Sequence, residues 1–180
     1  MAAAAGTEGV VVASDVRPRR IRMLADTVRT AAANTVRIVQ VPQTGALPFA
    51  PVFDRVLVDA PCSGLGTIRR DPDIRWRRTE EDLEQLRSRQ AALLGRAADV
   101  LAPQGRLVYA TCSSEPEENE SVIEQFLLEN PGFDRVDLRG SSPLVDPFID
   151  ADGMLHTRPF AHGLEAFFAA AVTRRSTARR

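Results

Sequence analysis

The sequence lacks lysine altogether, so all 23 of its basic residues are arginines. We attribute this absence to a GC-rich genome, because arginine-specific recognition of phosphates does not require that every lysine be missing. The charges nearly cancel, with a formal net charge of −1, so no overall field indicates a nucleic-acid partner. Apolar runs are also short. None approaches the roughly 20 residues of a membrane-spanning helix, so we expect no membrane association.

Cysteine is scarce as well, and the two that occur, Cys62 and Cys112, stand far apart in the chain. No C-x-x-C pair or Cys/His cluster is present, so the sequence predicts no metal site. Residues 1–6 are too short and too uncharged for a secretion signal, which disfavours a single disulfide in an exported protein. We therefore expect two free thiols in a reducing cytoplasm.

Strand-like and helix-like patterns alternate along the 180 residues, which predicts an α/β fold with a mostly parallel, doubly wound sheet. Helices are predicted to begin near Pro18, Thr79 and Ser114, the second with a capping-box sequence that ends at Asp82. Ligands of such sheets bind beyond the carboxyl ends of the strands. Strands are predicted at residues 10–13, 36–41, 53–59, 106–111, 133–138 and 167–172.

Two of these strand ends carry a thiol. Asp59 closes one strand and Cys62 follows three residues later, while Cys112 follows the next strand, just before a predicted helix start. A single cysteine is most often a small buried apolar residue. The pair favours function, because neighbouring strands about 4.8 Å apart would bring both thiols to one crevice. The helix N-terminus would also favour the thiolate of Cys112.

Such a thiol pair suits methyl transfer to the C5 atom of cytosine. This atom is a poor nucleophile until a thiolate adds at C6 and converts the ring into an enamine-like species. That species can attack an electrophilic methyl group, and an acid near N3 and the exocyclic amine would favour the adduct. A base must then remove the C5 proton so that the enzyme can leave. The target base must be unstacked or single-stranded.

An arginine-rich loop follows Cys62. Five arginines surround Trp76, and this composition is typical of phosphate contacts combined with base stacking. They are Arg69, Arg70, Arg75, Arg77 and Arg78. The alternative for the arginines is a solvated loop in which they pair with nearby acids, namely Asp71, Asp73, Glu80 and Glu81. The alternative for Trp76 is that it packs inward and anchors the loop.

Three other polar residues have ordinary structural explanations. Asp15 closes the first predicted strand and could accept hydrogen bonds from ribose hydroxyls, although a turn or helix-cap role fits an isolated aspartate better. His156 and His162 are expected to be structural, because neither lies near the thiols in sequence.

Residues 54–78 and 109–120 closely resemble the two signature motifs of the Sun-domain RNA cytosine-C5 methyltransferases, which include the bacterial ribosomal-RNA enzymes. The similarity runs over residues 9–172, and residues 162–168 resemble the family's closing HG-x-(D/E)-x-FF stretch. The resemblance implies a Rossmann-like methyltransferase sheet, mostly parallel with an antiparallel C-terminal strand. It also implies a domain over residues 1–172 and a polar, disordered tail over 173–180.

The resemblance implies a role for each candidate residue. Cys112 matches the nucleophile that attacks C6, and Cys62 matches the cysteine that assists breakdown of the adduct. Asp59 matches the acid beside the methyl donor and the target base. Asp15 matches the acid that binds the ribose of the donor, S-adenosylmethionine. The implied partner is RNA, ribosomal RNA above all, with the arginine-rich loop at its binding surface.

The chain departs from the family pattern in two places. The glycine-rich, AAPGGKT-like donor loop does not occur in these 180 residues, nor does the strand that leads into it, which is central in the family's sheet. We therefore expect an N-terminally truncated member. In addition, Pro42 and Gln43 stand where the family has an acid near the adenine.

The sequence thus favours a cytosine-C5 RNA methyltransferase over two alternatives. The first alternative is a non-catalytic remnant that binds RNA or a partner chain but not the donor, which the missing loop favours. The second is a thiol-redox domain, which the absence of a C-x-x-C pair and of a histidine partner disfavours.

Overall fold

The computed structural model describes residues 2–175, which form two compact units, the first ending at Pro48 and the second beginning at Phe49. The first unit contains helix α1 (Ala2–Ala5), strand β1 (Val11–Asp15), helix α2 (Pro18–Thr30) and strand β2 (Val36–Gln40). The two strands pair in parallel, with Val11 opposite Val36. Helix α2 begins at Pro18 because the fixed φ of proline suits the first helical turn.

The second unit is built on a five-stranded sheet in the order β3-β4-β7-β5, with β6 paired to β7. β3 and β4 are parallel, whereas β7 is antiparallel to β4, β5 and β6. Four strands therefore run in one direction and the C-terminal strand alone runs against them, as predicted. The strands are β3 (Phe53–Asp59), β4 (Leu101–Thr111), β5 (Phe133–Val136), β6 (Leu155–Thr157) and β7 (Phe167–Arg174).

Four helices belong to this unit: α3 (Ile74–Arg77), α4 (Glu80–Asp99), α5 (Glu120–Glu129) and α6 (Pro159–His162). The predicted capping box at the start of α4 is confirmed, since the Thr79 and Asp82 side chains each accept the other's backbone N–H. Helices α4 and α5 pack with the sheet around one apolar core. The largest fully buried apolar side chains of this core are Leu94, Leu101, Leu107, Tyr109, Val122, Ile123, Phe168 and Val172.

Several element boundaries differ from the sequence-based ones. β4 starts at Leu101 rather than at residue 106, and a register shift between Phe53 and Arg55 absorbs the irregular Pro103–Gly105 stretch. A 3₁₀ turn (Pro116–Glu118) precedes α5, so the helix begins at Glu120 rather than near Ser114. The three-residue strand β6 was not predicted, because it is too short to show a pattern.

The predicted tail also begins too early. β7 continues to Arg174, two residues into the segment 173–180, because Thr173 and Arg174 still pair with Asp134 and Phe133 of β5. The ladder with β5 therefore extends the strand beyond the apolar run that ends at Val172. Residues 176–180 of the predicted tail lie outside the described residues.

Candidate active site

The two thiols meet at the carboxyl ends of β3 and β4. Asp59 lies opposite Ala110 in the parallel ladder, and the chain then turns so that the Cys62 and Cys112 sulfur atoms lie 2.9 Å apart. The Cys112 backbone N–H also donates to the Cys62 sulfur, at 3.3 Å. The prediction that the two thiols come together at neighbouring strand ends is confirmed. It holds because a parallel pair of strands ends on the same edge of the sheet.

The contact makes the two thiols chemically unequal. A hydrogen bond from the Cys62 thiol stabilises the Cys112 thiolate and lowers the pKa of Cys112 to about 7, although burial and the charges of Asp59 and Glu118 act in the opposite direction. The same hydrogen bond, together with burial and the negative charge of Cys112, raises the pKa of Cys62. Near neutral pH the pair therefore holds about one proton, and the two pKa shifts favour Cys112 as the thiolate.

A buried carboxylate, Glu118, lies beneath the two thiols. Its Oε1 accepts the Ser63 backbone N–H at 2.8 Å and the Gln90 side-chain amide at 2.9 Å. Its Oε2 accepts the hydroxyl groups of Ser63 and Ser113, each at 2.6 Å. Sequence reasoning missed Glu118, because an acid in a run of acids before a helix is typical of an exposed first turn. Its position within the 109–120 motif was the one available signal.

Further hydrogen bonds hold the loops that carry the thiols. Gln90 donates to the Pro61 carbonyl at 2.9 Å, and Arg78 donates to the Ser63 carbonyl at 3.0 Å. The Tyr109 hydroxyl donates to the backbone carbonyl of Glu118 at 2.6 Å. The loop after β3 and the turn after β4 are therefore fixed by side chains from α4, from β4 and from the arginine-rich loop.

Gly66 allows the loop after β3 to approach the end of β4 closely. Its N–H donates to the Cys112 carbonyl, and its own carbonyl accepts the Ala166 N–H, both at 3.0 Å. A Cβ atom at this position would lie 2.1 Å from the Ala166 carbonyl oxygen and 2.8 Å from that of Cys112. Only glycine therefore fits between these two backbone segments.

The two candidate carboxylates lie in different surroundings. Asp59 is exposed at the end of β3, beside the thiol pair. Asp15, in the first unit, is half-buried and accepts the Arg17 backbone N–H at 2.7 Å, with Arg20 3.6 Å away. The structure thus shows Asp15 in the turn role that was its structural alternative, and it leaves the ribose role as a proposal.

The arginine-rich loop presents its aromatic residue to solvent. Trp76 is 77% exposed and Arg75 lies over its ring at 4.8 Å, so the alternative in which Trp76 anchors the loop from inside is wrong. Arg69 and Arg70 instead bind the segment before β7. Arg69 donates to the Gly163 carbonyl at 3.2 Å, and Arg70 pairs with Glu165 at 2.7 Å.

The histidines make contacts of a structural kind. His156 lies 3.0 Å from a carboxylate oxygen of Asp150 and packs edge-on against Phe168. His162 accepts the Arg158 N–H at 2.9 Å. Within residues 2–175, the His, Cys, Asp and Glu side chains form no group of three or more that could hold a metal ion. In the same part of the chain, no helix combines the length and apolarity needed to cross a membrane.

Residues 1–173 match a protein-family model described as 16S rRNA methyltransferase RsmB/F. The chain belongs to the RsmB/F family. It is 36% identical over 167 residues to a probable ribosomal RNA small subunit methyltransferase B of Synechocystis sp.. The matched region covers 92% of this chain and 37% of that protein. A Bacillus subtilis protein with the same description is 41% identical over 119 residues, 64% of this chain and 26% of its own length. This RsmB/F chain thus spans well under half the length of these curated relatives.

Solved structures agree with this assignment. The crystal structure of PH0851 superposes on 91% of the RsmB/F chain with a TM-score of 0.80 and 34% identity, and the match spans 37% of that protein. NSun6 from Pyrococcus horikoshii with SFG superposes on 92%, with a TM-score of 0.72 and 25% identity, over 41% of its length. A SAM dependent methyltransferase from Aquifex aeolicus shares the fold alone, at a TM-score of 0.54 and 13% identity. The predicted Rossmann-like methyltransferase class is confirmed.

Proposed function

We propose that this RsmB/F chain carries the thiol chemistry of an S-adenosylmethionine-dependent RNA cytosine-C5 methyltransferase that acts on ribosomal RNA in the cytoplasm. The observation that carries the proposal is the 2.9 Å contact between two thiols at neighbouring strand ends, with the pKa of Cys112 lowered to about 7. A thiol of ordinary pKa, about 8.5, is only a few per cent ionised at neutral pH. The pair therefore supplies the nucleophile that addition to C6 requires.

The reaction begins with addition. The Cys112 thiolate gives an electron pair to C6 to form an S–C6 bond, and the electrons of the C5=C6 double bond become available at C5. A bound donor would supply an electrophilic methyl group to C5, with the methyl–sulfur bond breaking and its electron pair staying on the sulfur of the leaving thioether. Asp59, exposed at the same strand end, is placed to hold a proton or hydrogen bond at the N3 and amino edge of the base.

Release of the product depends on Cys62. The Cys112 thiolate raises the pKa of Cys62 through their hydrogen bond and its negative charge, and burial adds to the shift. Once Cys112 is bonded to C6, the hydrogen bond to a thiolate and the negative charge are gone, so the pKa of Cys62 falls. Cys62 then gives its proton to solvent, and the resulting thiolate takes the C5 proton. The electrons of the C5–H bond then re-form the C5=C6 double bond, and Cys112 leaves as a thiolate.

These 180 residues supply only part of the contacts that a methyl donor needs. Asp15 and Asp59 are carboxylates at the carboxyl ends of β1 and β3, which is where such sheets bind nucleoside ligands. Each offers an acceptor for a hydroxyl or amino group. The glycine-rich turn that lets the backbone approach the donor does not occur in the sequence.

The arginine-rich loop is the proposed RNA contact. The exposed Arg75–Trp76 pair offers an aromatic face for an unstacked base and a cation for the phosphate backbone. Arg69 and Arg70 are already held by residues of the segment before β7, so they add positive charge while bound in place. Names of the relatives above point to small-subunit ribosomal RNA as the substrate.

A chimera tests the proposal. This chain would replace the matching segment of the Synechocystis relative, so that the assay contains a complete donor site. Cys112→Ala should abolish methyl transfer and the covalent RNA adduct, whereas Cys62→Ala should let the adduct form and accumulate, because addition survives but release fails. Labelled RNA on a denaturing gel separates the two results. An adduct that accumulates in Cys112→Ala but not in Cys62→Ala would show that the two roles are reversed.

A further inference from the structure

Glu118 is fully buried, yet it accepts every one of its side-chain hydrogen bonds from uncharged donors. Burying a carboxylate is unfavourable unless its oxygen atoms are satisfied, and here two donors reach each oxygen. The surrounding donors therefore suit a side chain that accepts hydrogen bonds at both of its oxygen atoms, as a carboxylate does.

The donors of this arrangement belong to the two loops that carry the thiols. Ser63 directly follows Cys62, and Ser113 directly follows Cys112. Their hydroxyl groups converge on the same oxygen, Oε2, at 2.6 Å each, and lie 3.2 Å from one another. A single carboxylate oxygen thus joins backbone segments 50 residues apart in the chain, one residue beyond each sulfur atom.

The position of Glu118 is itself fixed from two directions. Gln90, fully buried in α4, donates to Oε1 of Glu118 and to the Pro61 carbonyl, just before Cys62. The buried Tyr109 hydroxyl donates to the Glu118 backbone carbonyl from within β4. The carboxylate can therefore move very little relative to either thiol loop.

We propose that Glu118 is the positioning residue that holds Cys62 and Cys112 in contact. The inference deepens the proposed function, because contact between the thiols is what that mechanism uses, but the contact itself can be measured without RNA or methyl donor. Without Glu118, four donors lose their acceptor and the two loops are free to separate. The Cys112 thiolate then loses the hydrogen bond that stabilises it.

Alkylation of the 180-residue chain by iodoacetamide between pH 6 and 9.5 tests the proposal. Trypsin, which cleaves after arginine, places the two cysteines in different peptides. Cys62 lies in the peptide of residues 56–69, and Cys112 lies in the peptide of residues 107–135. The unsubstituted chain should show Cys112 reacting with an apparent pKa of about 7. Glu118→Ala should lower the Cys112 rate at pH 7 by at least about tenfold, as its pKa returns towards about 8.5.

Glu118→Gln separates positioning from charge. Its amide can keep the carbonyl oxygen towards the Ser63 N–H and Gln90 while its NH₂ donates to the two hydroxyl oxygens, so the contact between the thiols should persist. The charges that face Cys112 come from Asp59 and Glu118. If Glu118 acted only through its charge, both variants would react faster, since each removes a negative charge. Positioning predicts a Glu118→Gln rate at or slightly above that of the unsubstituted chain.

Two control variants match the test. Glu117→Ala removes an exposed acid one residue away and should leave the profile unchanged. Val122→Ala opens a cavity in the core and should lower the melting temperature without changing the Cys112 profile. A shift in Val122→Ala equal to that in Glu118→Ala would mean that lost stability alone moves the thiols, and it would overturn the proposal.

An unchanged Cys112 profile in folded Glu118→Ala would also overturn it. If circular dichroism shows that Glu118→Ala does not fold, Ser113→Ala replaces it. Loss of this one donor should slow Cys112 at pH 7 in the same direction but by less, and an unchanged rate would overturn the proposal. Because the alkylation assay contains no RNA, its outcome does not depend on methyl transfer by the chimera. The positioning role of Glu118 and the proposed methyltransferase function can therefore each fail while the other stands.

Discussion

The difference between the two thiols arises from the direction of a single hydrogen bond. With the Cys62 thiol as donor to the Cys112 sulfur, the negative charge is stabilised on Cys112, although the Cys112 backbone N–H favours a charge on Cys62. The family resemblance implies the same assignment of nucleophile. The lowered pKa of Cys112 and the family resemblance therefore favour the same assignment of roles.

Gly66 permits a prediction at the same scale. Gly66→Ala should destabilise the chain by about 1–3 kcal/mol, because its Cβ would overlap backbone carbonyl groups that cannot move freely. Urea unfolding followed by circular dichroism measures the change. Gly95→Ala is the matched control. It makes the same chemical change in α4, where no atom beyond the adjoining residues and the helix's own backbone lies within 4 Å of the new Cβ, and it should stabilise the helix by about 0.5–1 kcal/mol. Equal effects of the two substitutions would contradict the crowding at Gly66.

At the scale of elements, the loop after β3 is bound to the segment that leads into β7. The Gly66–Ala166 hydrogen bond and the Arg70–Glu165 ion pair both join these segments, which lie about a hundred residues apart in the chain. The last strand thus does more than complete the sheet. Its approach helps to place the loop that carries Cys62 and leads into the arginine-rich segment.

The arginine-rich loop should bind RNA through its exposed part. Trp76→Ala should weaken binding to single-stranded oligocytidine by about 1–3 kcal/mol with an unchanged salt slope, because a stacked base is lost. The melting temperature of the Trp76→Ala variant should not change, because the Trp76 side chain is 77% exposed. Arg75→Ala should reduce the slope of log affinity against log salt by about one unit if it contacts a phosphate.

Filter binding at several salt concentrations, run beside thermal melts, measures both effects. Arg29→Ala, an exposed arginine of α2, is the control and should alter neither the affinity nor the slope. Replacing Arg69, Arg70 and Arg75 together should lower the slope further. If affinity and slope stay unchanged in that triple variant, the loop does not take part in RNA binding.

At the scale of the whole molecule, the incomplete contacts for the donor predict weak donor binding. As a 180-residue polypeptide, the chain should bind S-adenosylmethionine weakly, because Asp15 and Asp59 offer few contacts and Asp15 already has local partners. Titration calorimetry checks this, with the chimera as the positive control. A low-micromolar dissociation constant for the chain alone, about −8 kcal/mol, would refute it. Weak binding would favour the non-catalytic alternative for the chain in isolation.

Features that depend on neighbouring residues were predictable. The capping box needs only Thr79 and Asp82, three residues apart, and it forms as expected. Cys62 and Cys112 were placed together because each follows an apolar strand, and the carboxyl ends of parallel strands share an edge. The start of α5 was not predictable, because the 3₁₀ turn before it is shaped by the buried contacts of Glu118.

The amino-acid sequence by itself determined the α/β class, the family and the pair of thiols, since these depend on periodicity and on motifs that lie within short stretches. The tertiary structure alone decided which residues hold the pair together. Glu118 contacts Ser63 across 55 residues and Gln90 across 28. An acid in an acidic run becomes a buried acceptor only when the folded chain brings donors from two loops and a helix around it, and no local pattern records that arrangement.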